Sequence, residues 1–289
     1  MGKKSKSRKS NNKTLSIKVQ WAIIAILIAL VGYIMNMAGC EGVKHHKNND
    51  SEYKVTSLNA PIEDLDMART AKGSPSQIIR HKGYTLSYNN QWRLANWVGY
   101  VLTKEETEGN VERTDWFDED PLVKGVKVCH SDYTHSGFDR GHMAPAADMK
   151  WDKQAMIESF YMTNICPQVH ALNAGLWNSL ESRVRSWARK DSAVVVVCGP
   201  IVPQEPMTIG QNRVAVPEYF YKVISSPYST TPRGIAFILP NEDCDMPLYK
   251  YAVTIDSVEN VTGIDFLYNL PDSLENYIEQ NFDLKAWQL

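Results

Sequence analysis

The fifteen residues from Trp21 to Met35, WAIIAILIALVGYIM, carry no charge, and no other feature of the sequence restricts the architecture so strongly. A helix packed into a soluble core has an apolar stripe and a polar face, whereas this run is apolar all round, as a segment in lipid must be. Taken from Val19 to Gly39 it reaches about 20 residues, enough to cross a hydrocarbon layer. Lys3, Lys4, Lys6, Arg8, Lys9, Lys13 and Lys18 precede it with no acid among residues 1–20, which directs the N-terminus to the cytoplasm and the rest outside. Two versions stay open. The segment is an uncleaved anchor over 21–39, or it is a signal segment cut before Cys40. Met37-Ala38-Gly39-Cys40 has the form of a lipoprotein box with Met where Leu is usual. Both make the body membrane-tethered and periplasmic or extracellular.

Removing those seven basic groups from the 31 Lys and Arg leaves 24 against 33 Asp and Glu, a balance of −9 for the rest of the chain. A protein that grips a polyanion across a wide face shows a basic footprint. This body does not, so any positive site must be local. The basic arm reads as a topology signal that meets anionic lipid. Cys40, Cys129, Cys166, Cys198 and Cys244 include no C-x-x-C pair, which argues against a cysteine zinc site. Cys198 ends a valine run and reads as a buried strand residue. His130, His135 and His170 are too irregularly spaced for a zinc set.

The chain divides into a basic arm (1–20), the apolar segment (21–39), a polar tether poor in aromatic residues (40–78) and a folded body (79–289). Within the body, alternation and β-branched runs predict strands at 84–88, 97–102, 193–198, 220–224, 234–239 and 250–255. Helices are expected at 152–161, 273–280 and 175–190, the last with Leu176, Leu180, Val184 and Trp187 on one face. Strands and helices without a βαβ rhythm predict an α+β domain. Residues 107–121 and 130–148 read as loops.

The second of these loops holds Asp139-Arg140-Gly141-His142 between Gly137 and Pro145. Histidine titrates near neutrality without tuning, which suits a general base, and the glycines and proline suggest a rigid turn that could aim it. Asn173, with Glu181 eight residues on and Arg185 twelve, would form one rim on a helix, at about 80° and 120° from the asparagine. Each has a plain structural alternative: a loop histidine, a helix-capping asparagine, an i,i+4 surface pair. The residues by themselves leave both readings open.

Read together with Asn164-Ile165-Cys166-Pro167-Gln168, these motifs resemble the DNA/RNA non-specific endonuclease family, which includes secreted bacterial nucleases and mitochondrial endonuclease G. The likeness runs over roughly residues 79–285 and takes in Asn96-Trp97-Val98-Gly99-Tyr100, Gly199-Pro200, Val216-Pro217 and Tyr221-Lys222-Val223-Ile224. It implies a ββα-metal nuclease fold, a mixed or antiparallel sheet flanked by helices. It also implies a sugar-non-specific endonuclease that hydrolyses DNA and RNA and leaves 5′-phosphates. By the same resemblance His142 is the general base and Asn173 the single protein ligand of Mg²⁺, with Mn²⁺ as a substitute. Glu181 matches the group that holds metal-bound water, and Arg185 an arginine near the phosphate. Asp139 and Asn164 match supporting positions, Arg140 belongs to the motif, and Arg113 is the nearest match to an upstream arginine that acts on the phosphate. The partners the resemblance implies are DNA and RNA, met through a phosphate backbone that carries no sequence, and a second copy of the chain; the membrane is a partner through the N-terminal apolar segment. Two alternatives remain: an exported nucleic-acid-binding module with decayed catalysis, and a phosphodiesterase for smaller substrates. The acidic body weighs against the first, because unspecific affinity rests on phosphate neutralisation.

Overall fold

In the computed structural model, which describes residues 62–289, the valine run shows why the strands read as unbroken apolar stretches. Val194, Val196 and Cys198 enter one hydrophobic cluster, and Val195 and Val197 enter another, because successive strand side chains point to opposite faces. The strands are β1 (Gln77–Arg80), β2 (Thr85–Asn89), β3 (Leu94–Thr103), β4 (Asp139–His142), β5 (Ile165–Gln168), β6 (Ala193–Ile201), β7 (Thr208–Ile209), β8 (Val214–Ala215), β9 (Tyr219–Ser226), β10 (Arg233–Pro240) and β11 (Ala252–Val253). Seven of them form one sheet in the order β1-β2-β3-β6-β9-β10-β11. Every pairing in it is antiparallel, so of the mixed or antiparallel sheet expected, the second form holds. The architecture is α+β, with both faces of the sheet covered.

Four helices matter here: α1 (Lys153–Glu158), α2 (Asn178–Asp191), α3 (Ile255–Thr262) and α4 (Asp272–Gln280). The first sheet face packs against α2 through Leu180, Val184 and Trp187, against β5 through Ile165 and Cys166, and against Met143 just after β4. The second face packs against α3 and α4 through Ile255, Val258, Leu274 and Ile278. The strand expected at 250–255 shortens to two residues. Thr254 instead caps α3, its hydroxyl accepting the Ser257 N–H.

The folded body begins before residue 79. Leu65 and Ala68 are buried in the second cluster, and Arg69 and Asp265 exchange backbone hydrogen bonds of 2.8 and 3.0 Å. Ile62, Leu65, Met67 and Ala68 are spread over one short, acid-rich stretch, too brief to give a periodic signal, so it reads as tether in sequence. The basic arm, the apolar segment, Cys40 and the tether up to residue 61 lie outside the described residues. Among the described residues no helix is long and apolar enough to cross a membrane.

Candidate active site

The segment expected to be a rigid turn is a strand. β4 pairs antiparallel with β5, Asp139 opposite Gln168 and His142 opposite Ile165. Gly141 allows this pairing: a Cβ there would stand 1.9 Å from Gln168 Oε1, inside van der Waals contact with the side chain that lies across it. The ribbon is fastened at the far end of β4 by Asn164, which is fully buried. Its Oδ1 accepts the Ala144 N–H at 2.9 Å, and its Nδ2 donates to the Ala144 and Ser159 carbonyls, both at 2.8 Å. Asn164→Ala would leave three buried backbone groups without partners. The expected cost is about 3 kcal/mol, read from the denaturant midpoint at constant slope.

His142 is half-buried, yet its Nε2 is covered and has no hydrogen-bond partner. The ring meets Phe160 edge-on at 4.8 Å and Phe117 at 5.6 Å. Burial pushes its pKa down to about 3, and the charge of Arg113 adds to this. Asp115 and a hydrogen bond to the Arg140 backbone oppose it. Without substrate the imidazole is therefore neutral at physiological pH, free to accept a proton, but its pKa lies well below the near-neutral value expected of an untuned histidine base. Arg113 lies on the Phe160 ring, its guanidinium carbon 5.1 Å from the centroid, and also pairs with Asp115 at 3.0 Å. Phe160, which also packs on His142, thus lies between the two side chains. Arg140 donates to the His130 carbonyl at 3.0 Å and stands 5.6 Å from the Phe117 ring, with its Nε buried and unpartnered.

Asn173 is joined to the motif directly, its Nδ2 donating to Asp139 Oδ2 at 2.9 Å. The same carboxylate oxygen meets His170 Nδ1 at 2.8 Å. This fixes the amide plane and turns the Asn173 carbonyl oxygen away from Asp139. The regular helical projection from Asn173 does not apply. Asn173–Trp177 is a π-type turn broken at Gly175 (φ −97°, ψ −109°), and the regular helix starts only at Asn178. Such turns give no sequence period of their own. Trp177 closes the gap between the two halves. Its indole N–H donates to the His142 carbonyl at 3.2 Å, and the same indole dipole favours the ionised form of Glu181.

Glu181 and Arg185 do not form the i,i+4 pair that their spacing allows. Arg185 instead donates to Asp148 Oδ1 at 2.9 Å, and Tyr100 donates to the other oxygen of that fully buried carboxylate at 2.9 Å. Arg185 is 17 % exposed, so its guanidinium supports the site from beneath while keeping an edge open. Burial raises the Glu181 pKa to about 7, and Asp148 adds to this; Lys222 and Arg185 oppose it. Lys222 is fully buried on β9 opposite Cys198. Its Nζ donates to the Met143 carbonyl at 3.4 Å and lies 4.3 Å over the Trp177 ring.

Lys222, Asp148, Phe117 and Phe160 do not stand out from sequence as site residues. Lys222 carried a usable signal, being a charged residue in the apolar strand Tyr219–Ser226. The others carried none. His130, His135 and His170 form no converging metal set among the described residues. Cys129, Cys166, Cys198 and Cys244 are free, and Cys198 is buried in β6 as expected.

The donor set fits a sparsely held hard cation. It offers one neutral amide oxygen, oriented by Asp139, and a carboxyl group whose charge needs a positive neighbour, which suits an ion that retains several waters.

The family model of the DNA/RNA non-specific endonuclease matches residues 66–273. Human mitochondrial endonuclease G is 33% identical over 220 residues, covering 71% of this chain and 74% of its own length. Nuclease C1 of Cunninghamella echinulata var. echinulata is 37% identical over 215 residues, covering 68% and 85%. A nuclease of Nostoc sp. is 31% identical over 275 residues, covering 90% and 97%. Among solved structures, the crystal structure of an EndoG/EndoGI complex aligns with a TM-score of 0.64 at 32% identity, over 69% of this chain and 89% of that one.

Proposed function

The chain belongs to the DNA/RNA non-specific endonuclease family, and from that premise we propose a Mg²⁺-dependent hydrolase of the ββα-metal type that cuts DNA and RNA through one site. The observation that carries this reading is His142. It is neutral, its Nε2 has no partner, and its strand is tied to Asn173 through Asp139. In the proposed reaction Nε2 takes a proton from the attacking water as oxygen bonds to phosphorus. The bond to the 3′ oxygen breaks and that oxygen takes a proton from solvent water, leaving a 5′-phosphate and a 3′-hydroxyl. A bound Mg²⁺ would offset charge on the phosphate and the departing oxygen. Asn173 Oδ1 would hold that ion, and an ionised Glu181 would accept hydrogen bonds from the water around it. Arg113 and Arg140, both set against the aromatic rings that flank His142, would supply local positive charge for the phosphate. Arg185, held by Asp148, keeps the base of the site positive.

This machinery addresses phosphate and cation only, so neither the sugar nor the base sequence enters the recognition. The acidic composition of the body is consistent with a positive surface confined to the site. The proposal extends to location: the charge-free run over 21–39 supports a catalytic body tethered outside the cytoplasm, by an uncleaved anchor or through Cys40.

If one site serves both polymers, RNA must inhibit DNA cleavage competitively, with an inhibition constant equal to its own KM, and DNA must inhibit RNA cleavage likewise. The products of both must accept a label only after their 5′-phosphates are removed. Additive rates in a mixture, or 3′-phosphate ends, would overturn the assignment.

A further inference from the structure

On the sheet face opposite the nuclease site, three carboxylates meet with no counter-charge of their own. Asp256 and Glu259 stand three residues apart on α3, on one helix face. Glu279 reaches them from α4. One carboxylate oxygen from each lies within 4.8 Å of the other two, and among the described residues no other set of His, Cys, Asp or Glu side chains converges in this way. Glu279 is only 6 % exposed, and its Oε1 is buried without a hydrogen-bond partner. Glu259 spends an oxygen on the Phe266 N–H at 2.8 Å.

The surroundings have the wrong sign for an ionised carboxylate. Burial first, then Glu259, Glu275, Asp256 and Asp265, push the Glu279 pKa up to about 9. Arg69, the cation that acts on neighbouring Glu275, is itself bound to Asp265 at 3.1 Å. An unpartnered buried carboxylate is costly, and two remedies exist: a proton or a cation. A proton would neutralise one group and leave the other two crowded. A divalent cation would answer all three and join two helices that otherwise meet through apolar contacts.

We propose that Asp256, Glu259 and Glu279 hold a structural Ca²⁺ that pins α3 to α4. The donors are hard oxygens gathered within 4.8 Å of one another, and Ca²⁺ accepts several such oxygens at about 2.4 Å in flexible geometry. Mg²⁺ demands strict octahedral geometry, dehydrates reluctantly and is seldom held by an all-protein cage, so it suits three protein carboxylates less well. The site is independent of the nuclease reading, because it lies under the second hydrophobic cluster and shares no residue with His142 or Asn173.

The test uses the purified full-length chain stripped with chelator and then titrated with Ca²⁺, read by calorimetry and by thermal unfolding. Wild type and Asn173→Ala should both gain about 5 °C in Tm at a hundredfold excess of Ca²⁺ over Kd. Asp256→Asn and Glu279→Gln, neutral and nearly isosteric, should lose that gain and bind Ca²⁺ at least tenfold more weakly. In chelator, Glu279→Gln should melt no lower than wild type, which separates a lost site from a lost fold. The proposal is overturned if wild type shows no Ca²⁺-dependent rise. It is equally overturned if Glu279→Gln keeps the full rise, or if Asn173→Ala abolishes it.

Discussion

Replacing His142 by alanine is expected to slow phosphodiester cleavage by about a thousandfold, within the range a positioned general base supplies. The loss should fall on kcat, with KM little changed, because the ring contacts the attacking water and not the bulk of the polymer. The fold should survive. The strand that carries His142 is held by backbone pairing with β5 and by Asn164, neither of which uses the imidazole. A second readout distinguishes a neutral, buried histidine from a surface one. The folded pKa of about 3 lies below the ordinary 6.5. Between those values the unfolded chain binds a proton that the folded chain does not, so this group weakens stability as pH falls through 6.5. Thermal unfolding should therefore show wild type losing stability from pH 7 to pH 5 more steeply than His142→Ala. Equal slopes would mean that the ring is not held neutral.

The largest effect on stability is expected from Lys222→Met. Exchanging a whole buried ion pair for apolar groups can be neutral, but removing one partner leaves a charge uncompensated, at a cost of about 3 to 5 kcal/mol. Lys222 is the fully buried cation that acts on both Glu181 and Asp148. Asp148 retains Arg185, so the loss falls mainly on Glu181. Without the ammonium its pKa must rise above about 7, which weakens its hold on hydration water around a cation. Both stability and Mg²⁺ affinity should fall. The double variant Lys222→Met/Glu181→Gln discriminates further: it should recover most of the stability and none of the activity. If Lys222→Met alone unfolds at the wild-type denaturant midpoint, the buried ammonium does not compensate these carboxylates.

The sequence disclosed the parts of this molecule that repeat. Val194 to Val197 announced a doubly covered strand, and Leu180, Val184 and Trp187 announced the buried face of α2. The site was legible as a set of residue types whose spacing resembles a family, and the contacts join that set: Asp139 to Asn173 directly, and His142 to Glu181 through Trp177. What stayed hidden had no period. Four residues of β4 are too few to alternate, and the irregular turn at Gly175 spoils any angular projection from Asn173. The partner of Arg185 was not legible either. Asp148 lies 37 residues away in sequence, and a plausible partner, Glu181, stood four residues off on the same helix. Local spacing suggested a surface pair, whereas desolvation of Asp148 decided for a buried one.

The most direct measurement of the central claim follows one supercoiled plasmid and one structured RNA with the purified full-length chain, in Mg²⁺ and again after chelation. Both polymers should be cut in Mg²⁺, both should survive in chelator, and readdition of Mg²⁺ should restore both rates together. Cleavage that persists undiminished in chelator, or DNA that is retained by the protein and never cut in Mg²⁺, would contradict a metal-assisted nuclease centred on His142.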